Sequence, residues 1–258
     1  MNLSPYRICL AAITKPFLGS LMICLLLGMA PSPASARGCF GTALVFAIDA
    51  SGSVDDREYV LQMGGLSQAL RDPKIEEAVR RAGGIALAAV VWSDTAMAAT
   101  TVGWQSVRNA QDIEGFASTI ESLPRVGGGG TDMGQGVWQA LDLLDDPTLC
   151  AMQRVIDVSG DGKETLYPRR RHGVSIFSAQ KRAEEYGVII NGLAILDEEE
   201  DLEEYYRGKV ISGATAFVIV ANSFDDFATA MHSKLLREIT PLNQAQLHEM
   251  RPAGESTN

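Results

Sequence analysis

Asp49, Ser51 and Ser53 occupy alternate positions directly after an apolar run that begins near Leu44. Hard cations such as Mg²⁺ take oxygen ligands in near-octahedral geometry and keep several waters. One carboxylate and two hydroxyls fill about half of such a shell. The spacing Asp-x-Ser-x-Ser therefore predicts part of a divalent-cation site, and the remaining oxygens must come from elsewhere in the chain.

Two glycine-rich segments later in the chain carry further oxygen ligands. Thr131 directly follows the run Gly127–Gly130, and Asp161 lies between Gly160 and Gly162. Glycines in such turns permit a close backbone approach or a positive φ. We therefore expect Thr131 and Asp161 to join the three residues of the first segment.

The elements that position these residues follow from the hydrophobic pattern. The run from Leu44 to Ile48, followed by small polar residues and then helical periodicity, predicts a buried parallel strand that leads into a helix. Asp49 then lies at the carboxyl end of that strand, which is where open α/β sheets bind their ligands.

Strands alternate with helices along the rest of the chain, which predicts an α/β fold. We expect a doubly wound, mostly parallel sheet with helices on both faces. The segment Ala98–Trp104 is predicted to form one antiparallel edge strand beside the strand Ile85–Trp92. Asp157 interrupts a later apolar strand, and because a buried carboxylate must be paired or hydrogen-bonded, we expect it to make a structural hydrogen bond near the glycine-rich loops.

These side chains together, in their order along the chain, resemble the metal-ion-dependent adhesion site of von Willebrand factor type A domains. The resemblance covers Thr42 to Ile239 and implies the Rossmann-like fold of that family. It implies that Mg²⁺, with Mn²⁺ or Ca²⁺ as alternatives, is bound by a set of five residues: Asp49, Ser51, Ser53, Thr131 and Asp161.

The resemblance also implies a role for each residue of this set. The three hydroxyls approach the metal most directly, and the two aspartates act largely through waters and hydrogen bonds. An Asp or Glu carboxylate from a protein partner completes the shell. The family usually carries Thr or Ser directly before the final aspartate, whereas Gly160 stands there in this chain. The chain as a whole also resembles a family of exported bacterial proteins built on this domain alone.

Two of the segments have simpler interpretations. Ser53 and Asp56 have the spacing of a helix cap, so Ser53 is a candidate for capping alone. Glycine amides before a helix attract phosphate, but Gly127–Gly130 lacks the Gly-Lys-Ser/Thr ending of a P-loop. We expect these glycines instead to bend the loop so that Thr131 faces Asp49.

The N-terminal segment has the pattern of a secretory signal peptide. Arg7 and Lys15 precede the apolar stretch Phe17–Ala30 and a small-residue segment that ends at Ala36. An uncleaved membrane anchor is the alternative. We expect a periplasmic or secreted protein with three parts: a signal peptide over residues 1–36, a type A-like domain over 37–240 and a flexible C-terminal tail over 241–258.

The charge balance limits the classes of partner. The chain has 22 basic and 32 acidic residues, for a net charge of −10 at pH 7. Removal of the predicted leader takes away two basic residues and no acids, so the remaining chain is more acidic still. Such a surface argues against nucleic acid or an anionic membrane as partner. No later apolar stretch is long enough for a stable membrane span.

The cysteines are consistent with export. Cys9 and Cys24 belong to the predicted leader, which leaves Cys39 and Cys150. An oxidising compartment favours a disulfide between these two residues. The resemblance implies that the strands after them are neighbours in the sheet, with both cysteines at the end opposite the metal site. Two separate buried thiols are the alternative.

The function that these features predict is that of a metal-dependent protein-binding module and not an enzyme. A metal-assisted hydrolase is one alternative, because a cation at a strand end can activate water. However, no Gly-x-Ser-x-Gly elbow surrounds Ser51 or Ser159, and the three histidines do not form a zinc-binding helix motif. A metal-free scaffold with a vestigial site is the other alternative.

Overall fold

The computed structural model of the protein describes residues 39–165 and 173–240. The predicted signal peptide and the predicted C-terminal tail lie outside these residues. In chain order the elements are β1 (Phe40–Asp49), α1 (Asp56–Leu70), α2 (Pro73–Arg81), β2 (Ile85–Trp92), β3 (Thr100–Val107), α3 (Ala110–Glu121), α4 (Met133–Leu144), β4 (Ala151–Gly160), α5 (Ile176–Glu185), β5 (Ile189–Ile195), α6 (Leu202–Lys209), β6 (Val218–Ala221), a 3₁₀ turn (Phe224–Asp226) and α7 (Phe227–Ile239).

The strands form one sheet in the order β3-β2-β1-β4-β5-β6. All neighbours are parallel except β2 and β3, which are antiparallel. The predicted fold class, a doubly wound α/β sheet with one antiparallel edge strand, is therefore confirmed. The edge strand covers Thr100–Val107 and not Ala98–Trp104, because the backbone turns first: Met97 N–H donates to the Asp94 carbonyl at 2.9 Å.

Successive side chains of a strand point to opposite faces of its sheet, and both faces of β1 are covered. Phe46 and Ile48 pack into a core completed by α1, α2, α3 and α7. Val45 and Ala47 pack into a second core completed by α4, α5 and α6. This alternation places the Asp49 side chain on the same face as α4, α5 and α6. In the two described ranges, no helix is long and apolar enough to cross a membrane.

The start of α1 decides between the two interpretations of Ser53. Asp55 is the N-cap: its side chain accepts a 2.8 Å hydrogen bond from Glu58 N–H, and Glu58 accepts a 2.7 Å bond from Asp55 N–H. This reciprocal pair is a capping box, which satisfies two backbone donors at a helix start. The interpretation of Ser53 as the helix cap is therefore wrong, and its hydroxyl points elsewhere.

Cys39 and Cys150 form a disulfide in the structure, with their Cα atoms 4.7 Å apart. Cys39 directly precedes β1 and Cys150 directly precedes β4, and these two strands are neighbours. Phe40 N–H also donates to the Cys150 carbonyl at 2.9 Å. The disulfide therefore joins the two central strands at the end opposite Asp49.

Candidate metal centre

The structure brings the five residues of the predicted site together at one edge of the sheet. Asp49 is the last residue of β1, and Asp161 directly follows the last residue of β4. Because Ile48 is paired with Ser159, Asp49 lies level with Gly160, one residue before Asp161 on the neighbouring strand. Thr131 lies two residues before α4, in the loop that crosses above both strand ends.

A continuous chain of hydrogen bonds connects the five residues. Asp49 Oδ1 accepts from Ser51 N–H at 2.7 Å, and Ser53 Oγ donates to Asp161 Oδ1 at 2.7 Å. The Ser51 and Ser53 hydroxyl oxygens are 3.2 Å apart, and Thr131 Oγ1 donates to Ser51 Oγ at 3.2 Å. The three hydroxyls therefore lie between the two carboxylates.

Both carboxylates are buried. Asp49 is 0% exposed and Asp161 is 1% exposed. Burial disfavours the charged form of a carboxyl group, and together with the negative charge of Asp161 it raises the pKa of Asp49 to about 8. Burial likewise raises the pKa of Asp161, against the lowering effect of its hydrogen bond from Ser53. Among the ion pairs of the described residues, none involves either aspartate.

The oxygen atoms of these five residues are arranged in a way that suits a divalent cation. Asp49 Oδ2 is buried and has no hydrogen-bond partner among the residues described, so one carboxylate oxygen remains available. Octahedral ligands about 2.1 Å from Mg²⁺ are about 3 Å apart along an edge, and the two hydroxyl–hydroxyl separations here are 3.2 Å. The described residues contain no group of three or more His, Cys, Asp or Glu suited to a metal. A cation here would therefore depend on the hydroxyls, and the donor set fits a hard cation.

The tetraglycine loop is shaped by close backbone contacts. A Cβ on Gly127 would lie 2.1 Å from the Ala50 carbonyl oxygen, so a larger residue does not fit there. Gly129 has a φ of 71° and accepts a 3.0 Å hydrogen bond from Gly52 N–H. These contacts hold the loop against the segment after β1, which brings Thr131 to Ser51.

Asp94 is a residue that the sequence predictions missed. It follows β2 by two positions and is 6% exposed. Its carboxylate accepts from Gly130 N–H at 3.1 Å and from Ala96 N–H at 2.8 Å, so it fixes the glycine loop next to Thr131. The signal was present in the sequence, because Asp94 follows an apolar strand much as Asp49 does.

The departure from the family pattern at Gly160 has a steric cause in this structure. A Cβ at this position would lie 2.8 Å from Asp49 Oδ2 and 3.1 Å from the Tyr206 hydroxyl oxygen. A serine or threonine side chain would therefore crowd Asp49 and Tyr206, and one or both of them would have to shift. Tyr206, from α6, is a second residue that the sequence predictions missed.

Asp157 does not belong to this site. Its side chain points to the opposite face of the sheet and lies 2.8 Å from Lys234 Nζ of α7. The expected hydrogen bond near the glycine-rich loops is therefore wrong, because the alternation of side chains along β4 directs Asp157 away from the face that carries Asp49.

Acidic residues also lie around the opening of the site. The negative charges of Glu198 and Asp197 raise the pKa of Asp161 further. Ser53 is half-buried and Gly52 is exposed, whereas Ser51 and Asp49 are fully buried. The site is therefore open to solvent above Ser53 and carries a negative field there.

The fold is that of von Willebrand factor type A domains. The chain is similar to the pilus adhesin SpaC from Lactobacillus rhamnosus GG, with 15% identity and a TM-score of 0.58 over 79% of this chain and 31% of SpaC. It is similar to the vWF domain of the type V pili tip protein Mfa5 from Porphyromonas gingivalis, with 12% identity and a TM-score of 0.51 over 85% of this chain and 99% of that domain.

A third similar structure is that of proximal thread matrix protein 1 (PTMP1) from the mussel byssus. In that structure zinc occupies the metal-ion-dependent adhesion site (MIDAS) motif. Its identity is 19% and its TM-score 0.54, over 78% of this chain and 46% of PTMP1. The chain thus spans less than half the length of SpaC and of PTMP1. The comparison with curated proteins finds no match.

A family profile identifies the chain more closely. The family described as "Protein of unknown function (DUF1194)" matches residues 39–243. The chain belongs to this family.

Proposed function

We propose that the protein is an exported module that binds a divalent cation at Asp49, Ser51, Ser53, Thr131 and Asp161 and through it recruits a carboxylate from a protein partner. The observation that carries this proposal is the convergence of two buried carboxylates and three hydroxyls to which no side chain of the described residues is ion-paired. Buried charges need a partner, and a bound cation would supply it.

The hydroxyls and the carboxylates of this set would have different roles in cation binding. The Ser51, Ser53 and Thr131 hydroxyl oxygens would contact the cation, and the two aspartates would balance its charge and orient the hydroxyls through the hydrogen bonds described above. Mg²⁺ suits the oxygen-only donor set, with Mn²⁺ or Ca²⁺ as alternatives. Bound there, the cation supplies a positive charge at which a carboxylate can bind.

The surroundings make partner binding depend on the metal. Asp197 and Glu198 add negative charge to the site, and like charges repel an approaching acidic group. A partner's Asp or Glu would therefore bind only after a cation has reversed the local field. The opening above Ser53 is where such a side chain would approach.

Export is supported by two independent features of the chain. The residues before Ala36 have the pattern of a signal peptide. The Cys39–Cys150 disulfide is of the kind that persists in oxidising compartments. Pilus and byssus proteins share the fold, which accords with a periplasmic or secreted binding role.

Calorimetric titration of Mg²⁺ and Mn²⁺ into chelator-stripped protein tests the metal site. We expect saturable binding to one site in the wild type and its loss in Asp49→Ala and Ser51→Ala. Ser67→Ala is the matched control, because Ser67 is also fully buried but donates to the Ala117 carbonyl, away from the site. Wild-type protein that binds neither metal, or Ser51→Ala that binds both normally, would refute the assignment.

A small carboxylate tests the recruitment step without knowledge of the partner. In protein loaded with Mn²⁺, the longitudinal relaxation of water protons reports the waters bound to the metal. We expect acetate to displace metal-bound water and lower this relaxation enhancement, whereas chloride at equal ionic strength leaves it unchanged. If acetate has no effect, the site binds metal but does not recruit carboxylates.

A further inference from the structure

The Tyr206 hydroxyl lies beside the candidate site and has no visible purpose in the packing of α6. Tyr206 is 0% exposed, and its hydroxyl has no hydrogen-bond partner in residues 39–165 and 173–240. A buried hydroxyl without a partner costs free energy that a phenylalanine would avoid. Such a group therefore calls for an explanation.

Two glycines make room for this tyrosine. A Cβ on Gly192 would lie 2.5 Å from Tyr206 Cδ1, and one on Gly160 would lie 3.1 Å from its hydroxyl oxygen. Val158 is paired with Gly192 across β4 and β5, so Gly160 and Gly192 lie on the same face of the sheet. The ring thus passes over Gly192 and its hydroxyl reaches past Gly160 toward β1.

The hydroxyl ends beside the unpartnered oxygen of Asp49. The position of a Cβ on Gly160 is 2.8 Å from Asp49 Oδ2 and 3.1 Å from the Tyr206 hydroxyl, so both atoms border the same small space. Neither atom has a hydrogen-bond partner among the described residues, so the two are not bonded to each other in this structure. Burial, together with the nearby negative charges of Asp49 and Asp161, raises the pKa of Tyr206 well above its ordinary value, so the hydroxyl remains a donor.

We propose that Tyr206 is a positioning residue of the metal site, whose hydroxyl donates a hydrogen bond to Asp49 Oδ2 and fixes that carboxylate for cation binding. Formation of this bond requires the two side chains to adjust, because the structure does not show it. Tyr206 then supplies, from α6, a hydroxyl at the place where Gly160 has no side chain. This inference rests on the proposed function, since it assigns the control of cation affinity to a residue outside the predicted set.

Metal titration of Tyr206→Phe tests the proposal, because this variant keeps the ring on Gly192 and removes only the hydroxyl. Loss of a group that orients a metal ligand typically lowers metal affinity by about tenfold or more, and we expect a loss of about tenfold for Mg²⁺ and Mn²⁺. The matched control is Tyr205→Phe, whose hydroxyl accepts from Glu164 N–H and not from the site. Equal affinities of wild type and Tyr206→Phe would overturn the proposal and leave the metal site intact.

A second measurement separates this contact from the metal site itself. Urea unfolding of wild type, Tyr206→Phe, Asp49→Asn and the double variant is compared in chelator. If the two groups interact, the effects of the single substitutions do not add in the double variant. Strict additivity would overturn the contact even if metal binds. Coupling in a protein that binds no metal would refute the proposed function, and Tyr206 would then order Asp49 for another purpose.

Discussion

Two pairs of buried carboxylates lie on opposite faces of the same sheet, and they are neutralised differently. Asp157 and Glu238 share Lys234, whose Nζ is 2.8 Å from Asp157 Oδ1 and 2.5 Å from Glu238 Oε1. Asp49 and Asp161 are equally buried but have only hydroxyls and backbone amides around them among the described residues. One pair thus has an ammonium group supplied by α7, and the other has no cationic side chain from the part of the chain that the structure describes.

This difference separates a structural site from a candidate functional one. Asn191 completes the Lys234 cluster by donating to Glu238 Oε1 at 2.8 Å and accepting from Phe217 N–H at 3.1 Å, so the cluster ties β5 to α7. It is closed and has no route for a ligand. The Asp49 site is open above Ser53 and is neutralised either by protons, as the raised pKa of Asp49 indicates, or by a cation from solution.

Removal of the Lys234 ammonium group should have the largest effect on stability. In Lys234→Met, Asp157 and Glu238 lose their cation while fully buried. We expect a loss of about 3–5 kcal/mol in the free energy of unfolding, as for other broken buried ion pairs, measured by urea denaturation at pH 7.

The matched control removes the two carboxylate charges together with the Lys234 ammonium group. The triple variant Asp157→Asn, Glu238→Gln, Lys234→Met leaves no uncompensated charge, so we expect it to recover a large part of the loss. A cost below about 1 kcal/mol for Lys234→Met alone would mean that the cluster is not held by its charges.

The same cluster should make stability depend on pH. Burial raises the pKa of Glu238 from 4.5 to about 7. Between these two pH values the folded protein holds a proton that the unfolded chain has lost. The contribution of Glu238 to stability is therefore fully present below pH 4.5 and is lost as the pH rises to about 7. The free energy of unfolding falls by about 1.4 kcal/mol per pH unit in this range. Denaturation of wild type and Glu238→Gln from pH 4.5 to 7.5 measures this contribution as their difference. A constant difference across that range would contradict it.

Added Mg²⁺ should act on one face of the sheet only. At a concentration a hundred times its Kd, a ligand of the folded state stabilises by about 2.7 kcal/mol. We expect this gain in wild type and in Glu238→Gln, and its absence in Asp49→Asn. Thermal unfolding with and without Mg²⁺ measures it. A similar gain in Asp49→Asn would place the cation elsewhere.

The parts of the molecule that local sequence determines were predictable. The sequence predicted the bounds of β2 and the apolar run before Asp49 because these features depend on residues close to them in the chain. The same is true of the glycines that precede Thr131. Helix α2 was missed although its local signals exist: Asp72 caps it and Pro73 occupies its first turn.

The missed contacts are those that depend on how distant elements pack. Lys234 reaches Asp157, and the Tyr206 hydroxyl lies beside Gly160, only because α7 and α6 lie on particular faces of the sheet. Nothing in the spacing of an acidic residue within a strand tells which helix will cover it. Gly160 was a sequence signal of such a contact, because a glycine in a strand often marks the close approach of another group.

Gly160 offers the finest test of the comparison, because it separates Asp49 from Tyr206. In Gly160→Ala the new methyl group would lie 2.8 Å from Asp49 Oδ2 and 3.1 Å from the Tyr206 hydroxyl. Overpacking of this kind typically costs about 1–3 kcal/mol, and we expect such a loss in urea denaturation together with weaker Mg²⁺ binding.

Gly115→Ala is the matched control, since Gly115 lies in α3 with nothing within 4 Å of an added Cβ. There the same methyl group should stabilise by about 0.5–1 kcal/mol, because alanine loses less entropy than glycine in a helix. Opposite signs for one methyl group would show that the space beside Asp49 is already filled. A neutral or stabilising Gly160→Ala would mean that Asp49 and Tyr206 move apart easily, which is inconsistent with Tyr206 fixing the carboxylate.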